Sequence, residues 1–347
     1  MKNSLDIMSL VRPNIQKLKP YSSARNEFSG ASKVFLDANE NPWGQRYNRY
    51  PDPTQGALKK ALSTLKGIPS HQLFLGNGSD EGIDILIRVF CEPGHDNIII
   101  TEPTYGMYEV SADINNVEIK RCALSEDFKL DSQKVLDIAD EHSKILFLCS
   151  PNNPTGNLLE EAEVRVLLDN FKGIVVIDEA YIDYSGRKSW TSELSTYPNL
   201  VVLQTMSKAW GLAAIRLGLG FASKEIIDLM NKVKPPYNIS LETQQIALKA
   251  LEDLSGYKES IEKTLRERDR LMDTLERLPF IEKIFSSDAN FILMKVQGAR
   301  KLYEYLIQQG IVVRDRSGIV HCESCLRITV GTTTENETLI NALNNYQ

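Results

Sequence analysis

From about Tyr50 to Val233 the chain alternates short β-branched apolar runs with helix-patterned segments, and no other feature constrains the fold as strongly. The runs fall at 97–101, 145–149, 173–177, 200–203 and 217–222, and they alternate with helix-like segments such as 82–90, 158–170 and 224–233. Continuous apolar runs of this length suit strands, and apolar residues at 3.6 spacing suit helices. A strand such as VVID at 175–178 offers apolar side chains to both sides, so both sides need cover. The expected fold class is therefore α/β, a mostly parallel sheet sandwiched by helices.

Pro235 and Pro236 end this pattern, and a helical stretch follows over 241–278 with a break expected near Ser255-Gly256. Beyond it NFILMKV, GIVVRDR and CLRITVG read as strands, 299–310 as a helix, and a last helix starts at about Glu335, an α+β pattern. The first forty or so residues, punctuated by Pro13, Pro20, Gly30 and Pro42, read as an arm laid across something else. At 347 residues two domains are expected: an arm at 1–50 serving the small domain and a dimer contact, a large domain at 51–240, and a connecting helix with a smaller α+β domain at 241–347.

A net charge of −6 with 42% apolar and 25% charged residues gives no reason to expect nucleic acid or an anionic membrane as partner. No apolar run approaches the roughly 18 residues that span a bilayer, and the N-terminus lacks a leader pattern, so the cytoplasm is the expected location. Five scattered cysteines argue for reduced thiols. Cys322 and Cys325 beside His321 form a C-x-x-C that is read as buried thiols rather than as zinc or redox ligands, because no second ligand pair accompanies it; no metal is expected.

Several strand-terminal strings carry chemistry. LFLGNGSDEGIDILIRVF at 73–90 reads as strand, Gly-x-Gly turn and helix start, with Ser79 and Asp80 at a helix N-terminus able to hold a phosphate. EPTYGMY sets Tyr105 and Tyr108 after a buried strand, and CSPNNPTG presents Asn153 after another, where open α/β sheets commonly form sites. GIVVID ends in Asp178, with Tyr181 three residues on; a carboxylate closing an apolar strand needs a cation, and a protonated pyridine nitrogen would serve. In LQTMSKAWGLAAIRLG, Ser207-Lys208 with Arg216 eight positions after the lysine suits a Schiff-base lysine beside a phosphate clamp, the arginine lowering the lysine pKa. A capped turn, a loop-packed tyrosine, an N-cap aspartate or a solvated lysine would explain each string alone. Their joint order does not arise easily from such pieces.

With these motifs the chain resembles the fold-type I pyridoxal-phosphate aminotransferases over most of its length. KLKPYSSAR, LDANENPWG, RYPDP, GNGSDE, KPPYNIS, VVRDR and CLRITVGT are similar to the histidinol-phosphate aminotransferase branch of that family. The resemblance implies that Lys208 binds pyridoxal 5'-phosphate covalently and shuttles a proton between the substrate α-carbon and cofactor C4′. It implies that Asp178 keeps the ring nitrogen protonated, that Asn153 and Tyr181 reach the ring oxygen, and that Tyr105 stacks on the ring. Ser79, Asp80, Thr205, Ser207 and Arg216 would meet the phosphate, joined by Tyr50 from a second subunit of a homodimer.

The implied reaction exchanges the amine of L-histidinol phosphate with 2-oxoglutarate, giving imidazole-acetol phosphate and L-glutamate, in histidine biosynthesis. One pocket must then accept a phosphate monoester and a dicarboxylate, for which Arg314 and Arg327, thirteen residues apart, are the natural forks. Tyr21 would add a hydroxyl to the substrate phosphate, and the loop at Asn39 would close over it. GLAAIR departs slightly from the GLAGLR of the family, with Arg216 retained. An aromatic-amino-acid aminotransferase or a phosphothreonine-type decarboxylase of the same fold would share the cofactor residues; a non-enzymatic module would have no use for the proton-shuttling set.

Overall fold

The computed structural model describes residues 6–21, 34–44 and 46–346; residues 22–25 of the KLKPYSSAR string and Gly30 lie outside them. Seven strands, β1 (Leu73–Asn77), β2 (Asn97–Glu102), β3 (Glu118–Ala123), β4 (Ser143–Cys149), β5 (Ile174–Asp178), β6 (Leu200–Thr205) and β7 (Leu217–Ala222), form one sheet in the order β1-β7-β6-β5-β4-β2-β3. All neighbours from β6 to β3 are parallel, whereas β7 runs against both β6 and β1. Every residue of β5, β6 and β7 is buried, as expected of apolar strands covered on both faces.

The alternation of side chains along each strand sends neighbours into two separate cores. Leu73 and Leu75 of β1 join one with Leu58, Leu62 and Val175, while Phe74 joins the other with Ile83, Leu86 and Val176. Each such side chain taken fully from water contributes about 1.5–3 kcal/mol. Helices Gly78–Phe90 and Lys224–Val233 pack on the second side; the latter is capped by Ser223, whose hydroxyl accepts from the Ile226 N–H.

A second sheet of β8 (Ile281–Ile284), β9 (Phe291–Val296), β10 (Arg314–Asp315) and β11 (Cys325–Thr329) is antiparallel in the order β10-β11-β9-β8. Ile292, Met294 and Leu326 pack there against Leu271, Leu302 and Leu339 of the surrounding helices, forming a core of their own.

Several boundaries differ from expectation for local reasons. The helix break falls at 251–253, because Asp253 caps Leu254–Leu275 by accepting from Gly256 N, which draws Ser255 and Gly256 into the first turn. The last helix begins at Thr333, ahead of Glu335, because Thr332 and Glu335 close a capping box. Residues 311–313 are not paired, with Val312 81% exposed, so GIVVRDR yields only the two-residue β10. β3 and β8 carry mixed, half-exposed sequences without an apolar run. No described helix is long and apolar enough to cross a membrane.

Candidate active site

Parallel strands bring their carboxyl ends to one rim, and β2, β4, β5 and β6 deliver Tyr105, Asn153, Asp178 and Lys208 there in the loops or last residue that follow each strand. The reversed β7 presents its start at the same rim, which places Arg216, the residue before it, beside the end of β1. Gly78 N donates to Arg216 O at 2.8 Å and locks that junction. The result is a cavity of about 120 Å³ lined by Ser79, Asp80, Tyr105, Asn153, Asp178 and Tyr181, with Thr205, Ser207, Lys208 and Arg216 completing the wall. Ten of the sequence-predicted positions thus meet in one place.

Asp178 lies at the buried end, 2% exposed. Its Oδ2 accepts from Tyr108 Oη at 2.8 Å and its Oδ1 from Ala180 N at 3.1 Å. Burial pushes its carboxyl up to about 6, against the lowering effect of those two donors. Lys208 is held below the ordinary lysine range, first by desolvation and then by Arg327, with Asp178 opposing. Arg216, to which the sequence argument assigned this effect, contributes less than Arg327. The Lys208 ammonium stands 5.5 Å above the Tyr181 ring centre, and Asn153 Nδ2 approaches Tyr181 Oη at 3.5 Å.

The phosphate-type end is built from main chain. Helix Gly78–Phe90 starts one glycine earlier than the sequence suggests, with Asn77 as cap residue and no side-chain cap, so Ser79 and Asp80 sit in its first turn, where N–H groups point at the cavity. Arg216, at φ 52°, turns its guanidinium to Asp80 Oδ2 (3.4 Å) and Ser207 Oγ (3.5 Å). Tyr105 donates to Asp80 Oδ1 at 3.0 Å. Thr205 Oγ1 accepts from Ser207 N at 3.1 Å and shapes the turn that carries Lys208.

The remaining predicted residues divide. Arg327 on β11 crosses from the small sheet to donate through Nη1 to Asn153 Oδ1, while its buried Nε has no hydrogen-bond partner. Arg314 stands directly opposite Arg327 in the β10–β11 register, so two like charges share one face. Tyr21, Asn39 and Tyr50 instead line a larger open cavity of about 1460 Å³, which shares Arg216 with the first. Tyr50 stacks on Tyr237 with ring centres 4.6 Å apart.

Over residues 24–343 the sequence matches the family model described as aminotransferase class I and II. The chain belongs to this aminotransferase family. Histidinol-phosphate aminotransferase of Parabacteroides distasonis is 55% identical over 342 residues, covering 99% of both chains. The enzyme of the same name from Cytophaga hutchinsonii is 53% identical over 350 residues, covering 100% of both. Among solved structures, histidinol-phosphate aminotransferase from Clostridium acetobutylicum superposes with a TM-score of 0.80 at 27% identity, over 87% of this chain and 92% of that one.

The donor set of this aminotransferase fits pyridoxal phosphate. An ionisable acid at the buried end calls for a cation such as a pyridinium, the uncapped helix start and Arg216 call for an anion at the other end, and an amine of lowered pKa stands between. Gly78 and Gly218 keep the anion end open: a Cβ at Gly78 would lie 2.7 Å from Arg216 Nη2, and one at Gly218 2.2 Å from Ser79 N.

In the sequence Tyr108 stands out only as an aromatic of the loop, and Arg316 carries no motif of its own. Arg316 belongs with the other two arginines: its Nε is buried without a partner, and desolvation, Arg327 and Arg314 together bring it down to about 10. The VVRDR spacing, which puts residues 314 and 316 on one side of an extended segment, was the available signal.

Cys322 and Cys325 are buried in a tight turn, Cys325 N donating to Cys322 O at 2.9 Å, and among the described residues they belong to no cluster of three ligands. His95, Asp96 and His142 do cluster at the opposite rim, but Lys144 Nζ is 3.7 Å from Asp96 Oδ1 and supplies that carboxylate with a cation.

Proposed function

We propose that the chain is a pyridoxal-phosphate-dependent transaminase that exchanges the amino group between L-histidinol phosphate and 2-oxoglutarate, giving imidazole-acetol phosphate and L-glutamate in histidine biosynthesis. The observation that carries the reading is the meeting of Lys208 and Asp178 in one cavity, with Arg327 bonded to Asn153 of its wall. Relatives that are 50–55% identical over nearly the whole chain bear the name of this reaction.

Asp178 is assigned to the ring nitrogen, Asn153 and Tyr181 to the ring oxygen, and Tyr105 to the ring face. Ser79, Asp80, Thr205, Ser207 and Arg216 are assigned to the phosphate. When bound, pyridoxal phosphate supplies an aldehyde that captures amines and a ring that accepts electrons. Lys208 Nζ, held below the ordinary lysine range by burial and by Arg327, takes the proton from the amine-bearing carbon of the substrate and returns it elsewhere. Arg327 and Arg314 hold the substrate's oxyanion, a phosphate in one half-reaction and a carboxylate in the other, and the unpartnered Nε of Arg327 is a donor held ready for it.

Tyr21 and the Asn39 loop are assigned to the substrate phosphate and to closure. The arm around them exposes Leu36 (89%), Trp43 (91%) and Tyr47 (62%), apolar surface that suits burial by a second copy of the chain. The reading further includes a homodimer in which Tyr50 completes the partner's phosphate site, a division at 50 and 240, and a cytoplasmic location. The test is an absorption spectrum of the purified protein before and after histidinol phosphate, with borohydride reduction and peptide mapping. A visible band that bleaches, and a pyridoxyl adduct on Lys208, are expected; faster bleaching by phenylalanine overturns the substrate, and an adduct elsewhere overturns the site.

A further inference from the structure

Tyr108 belongs to none of the roles assigned above. It lies in the helix Met107–Ile114, is completely buried, and is not among the residues that line the cavity. Its ring is fixed from two directions, stacked on Phe147 at 4.7 Å and 11° and edge-on to Tyr105 at 5.7 Å and 85°. Two such contacts leave the ring little freedom to swing. A buried phenol needs a partner for its hydroxyl, and this one has Asp178 Oδ2 at 2.8 Å.

The Asp178 carboxylate therefore has one donor on each oxygen, Tyr108 Oη on Oδ2 and Ala180 N on Oδ1. Each oxygen keeps a further lone pair for a group inside the cavity. Ala180 N is fixed by the chain, so the hydroxyl is the donor that a substitution can remove.

Resting on the assignment of Asp178 to the ring nitrogen, we infer that Tyr108 is a positioning residue for transamination: its hydroxyl holds the Asp178 carboxylate as the anion and at the angle that keeps the cofactor's pyridine nitrogen protonated. An acid and a pyridine nitrogen facing each other share one proton. A donor behind the carboxylate stabilises the anion and leaves that proton on the ring; without the donor the carboxylate becomes the better base and draws the proton to itself. Burial also keeps the phenol well above its ordinary range, so it stays protonated and always donates. Tyr108 thus acts on the ring from behind the cavity wall, through Asp178.

The test measures dissociation constants of pyridoxal phosphate and of its 1-deaza analogue, in which C–H replaces the ring nitrogen, by fluorescence titration of the full-length protein. Wild type is expected to prefer pyridoxal phosphate, and Tyr108→Phe to lose about tenfold in affinity for it while holding the analogue within about twofold. Equal losses for both ligands would make Tyr108 a packing residue and overturn the inference, as would no loss for either. A wild type that does not discriminate the two overturns the assignment of Asp178 itself, a distinguishable result. In an Asp178→Asn background Tyr108→Phe is expected to have no further effect, and a further selective loss there overturns the route through Asp178. Should the phenylalanine variant not fold, 3-fluorotyrosine at 108, a stronger donor of nearly the same size, is expected to raise the preference for pyridoxal phosphate; an unchanged preference overturns the inference.

Discussion

Burial raises the Asp178 carboxyl to about 6, which makes it a pH-dependent receptor for a cation. Its folded value is raised above the unfolded 3.8, so the ligand-free protein binds the extra proton between about 4 and 6, and its own contribution to stability declines as pH rises through that window. A bound pyridinium needs the anion, so cofactor affinity and the thermal stabilisation by cofactor are expected to grow from about pH 5 to pH 7, measured as melting temperature with and without pyridoxal phosphate. A flat increment across that range would remove Asp178 from the ring nitrogen. Arg327→Ala is expected to weaken both glutamate and histidinol phosphate by about ten- to a hundredfold, the worth of charge-assisted hydrogen bonds. Steady-state kinetics with each partner checks this, and unaltered KM for glutamate would take Arg327 out of the role. The legible residues were those in strings tied to strand ends, Lys208, Asp178 and Asn153 among them. The hydroxyl of Tyr108 on Asp178 spans 70 positions, and no local spacing encodes such a contact.

Among the elements, the strands that are apolar on both sides, β5, β6 and β7, could be read directly, because burial on both faces leaves a run that no turn or exposed helix shares. β3 escaped notice because it is an edge strand, paired with β2 alone and half exposed, so EIKRCA has the composition of a surface segment. The reversed direction of β7 was equally hidden, since direction is a property of the connection and not of the run. That reversal makes the β1–β7 junction a close approach of two main chains. A Cβ at Gly218 would lie 2.1 Å from Gly78 C and 2.2 Å from Ser79 N, neither of which can swing aside. Gly218→Ala is therefore expected to cost about 1–3 kcal/mol or more and to lower cofactor loading by pushing the helix start out of place. Urea unfolding and the cofactor content of the purified variant measure both, and a fully loaded variant of normal stability would refute the argument.

At the scale of the molecule, the proposed dimer is testable by exchange of defects. A Lys208→Ala subunit retains its own Tyr50, and a Tyr50→Phe subunit retains its own Lys208. If Tyr50 serves the partner's site, a mixed dimer holds one site with neither defect and one with both. Unfolding and refolding the two variants together is expected to restore activity well above either alone, towards a quarter of wild type when mixing is random and half of the dimers are hybrids. Absence of any gain, with mixed dimers demonstrated by differently tagged subunits, would return Tyr50 to its own subunit. The presence of a second, smaller sheet was legible from the change of pattern after Pro235-Pro236, because a proline pair interrupts helix and sheet alike. The way Arg327 reaches across to Asn153 was not, since it depends on how the small sheet docks.

The ten assigned side chains that line the small cavity gather at one rim of the sheet, and the starts of β2 and β4 lie at the other. The turns at 93–95 and 141–142, beside the starts of β2 and β4, contribute no residue to that cavity. Foreign sequence, such as an epitope or a tether to a solid support, is best grafted there: immobilised through that end, the molecule would present its working mouth outward to the surrounding liquid.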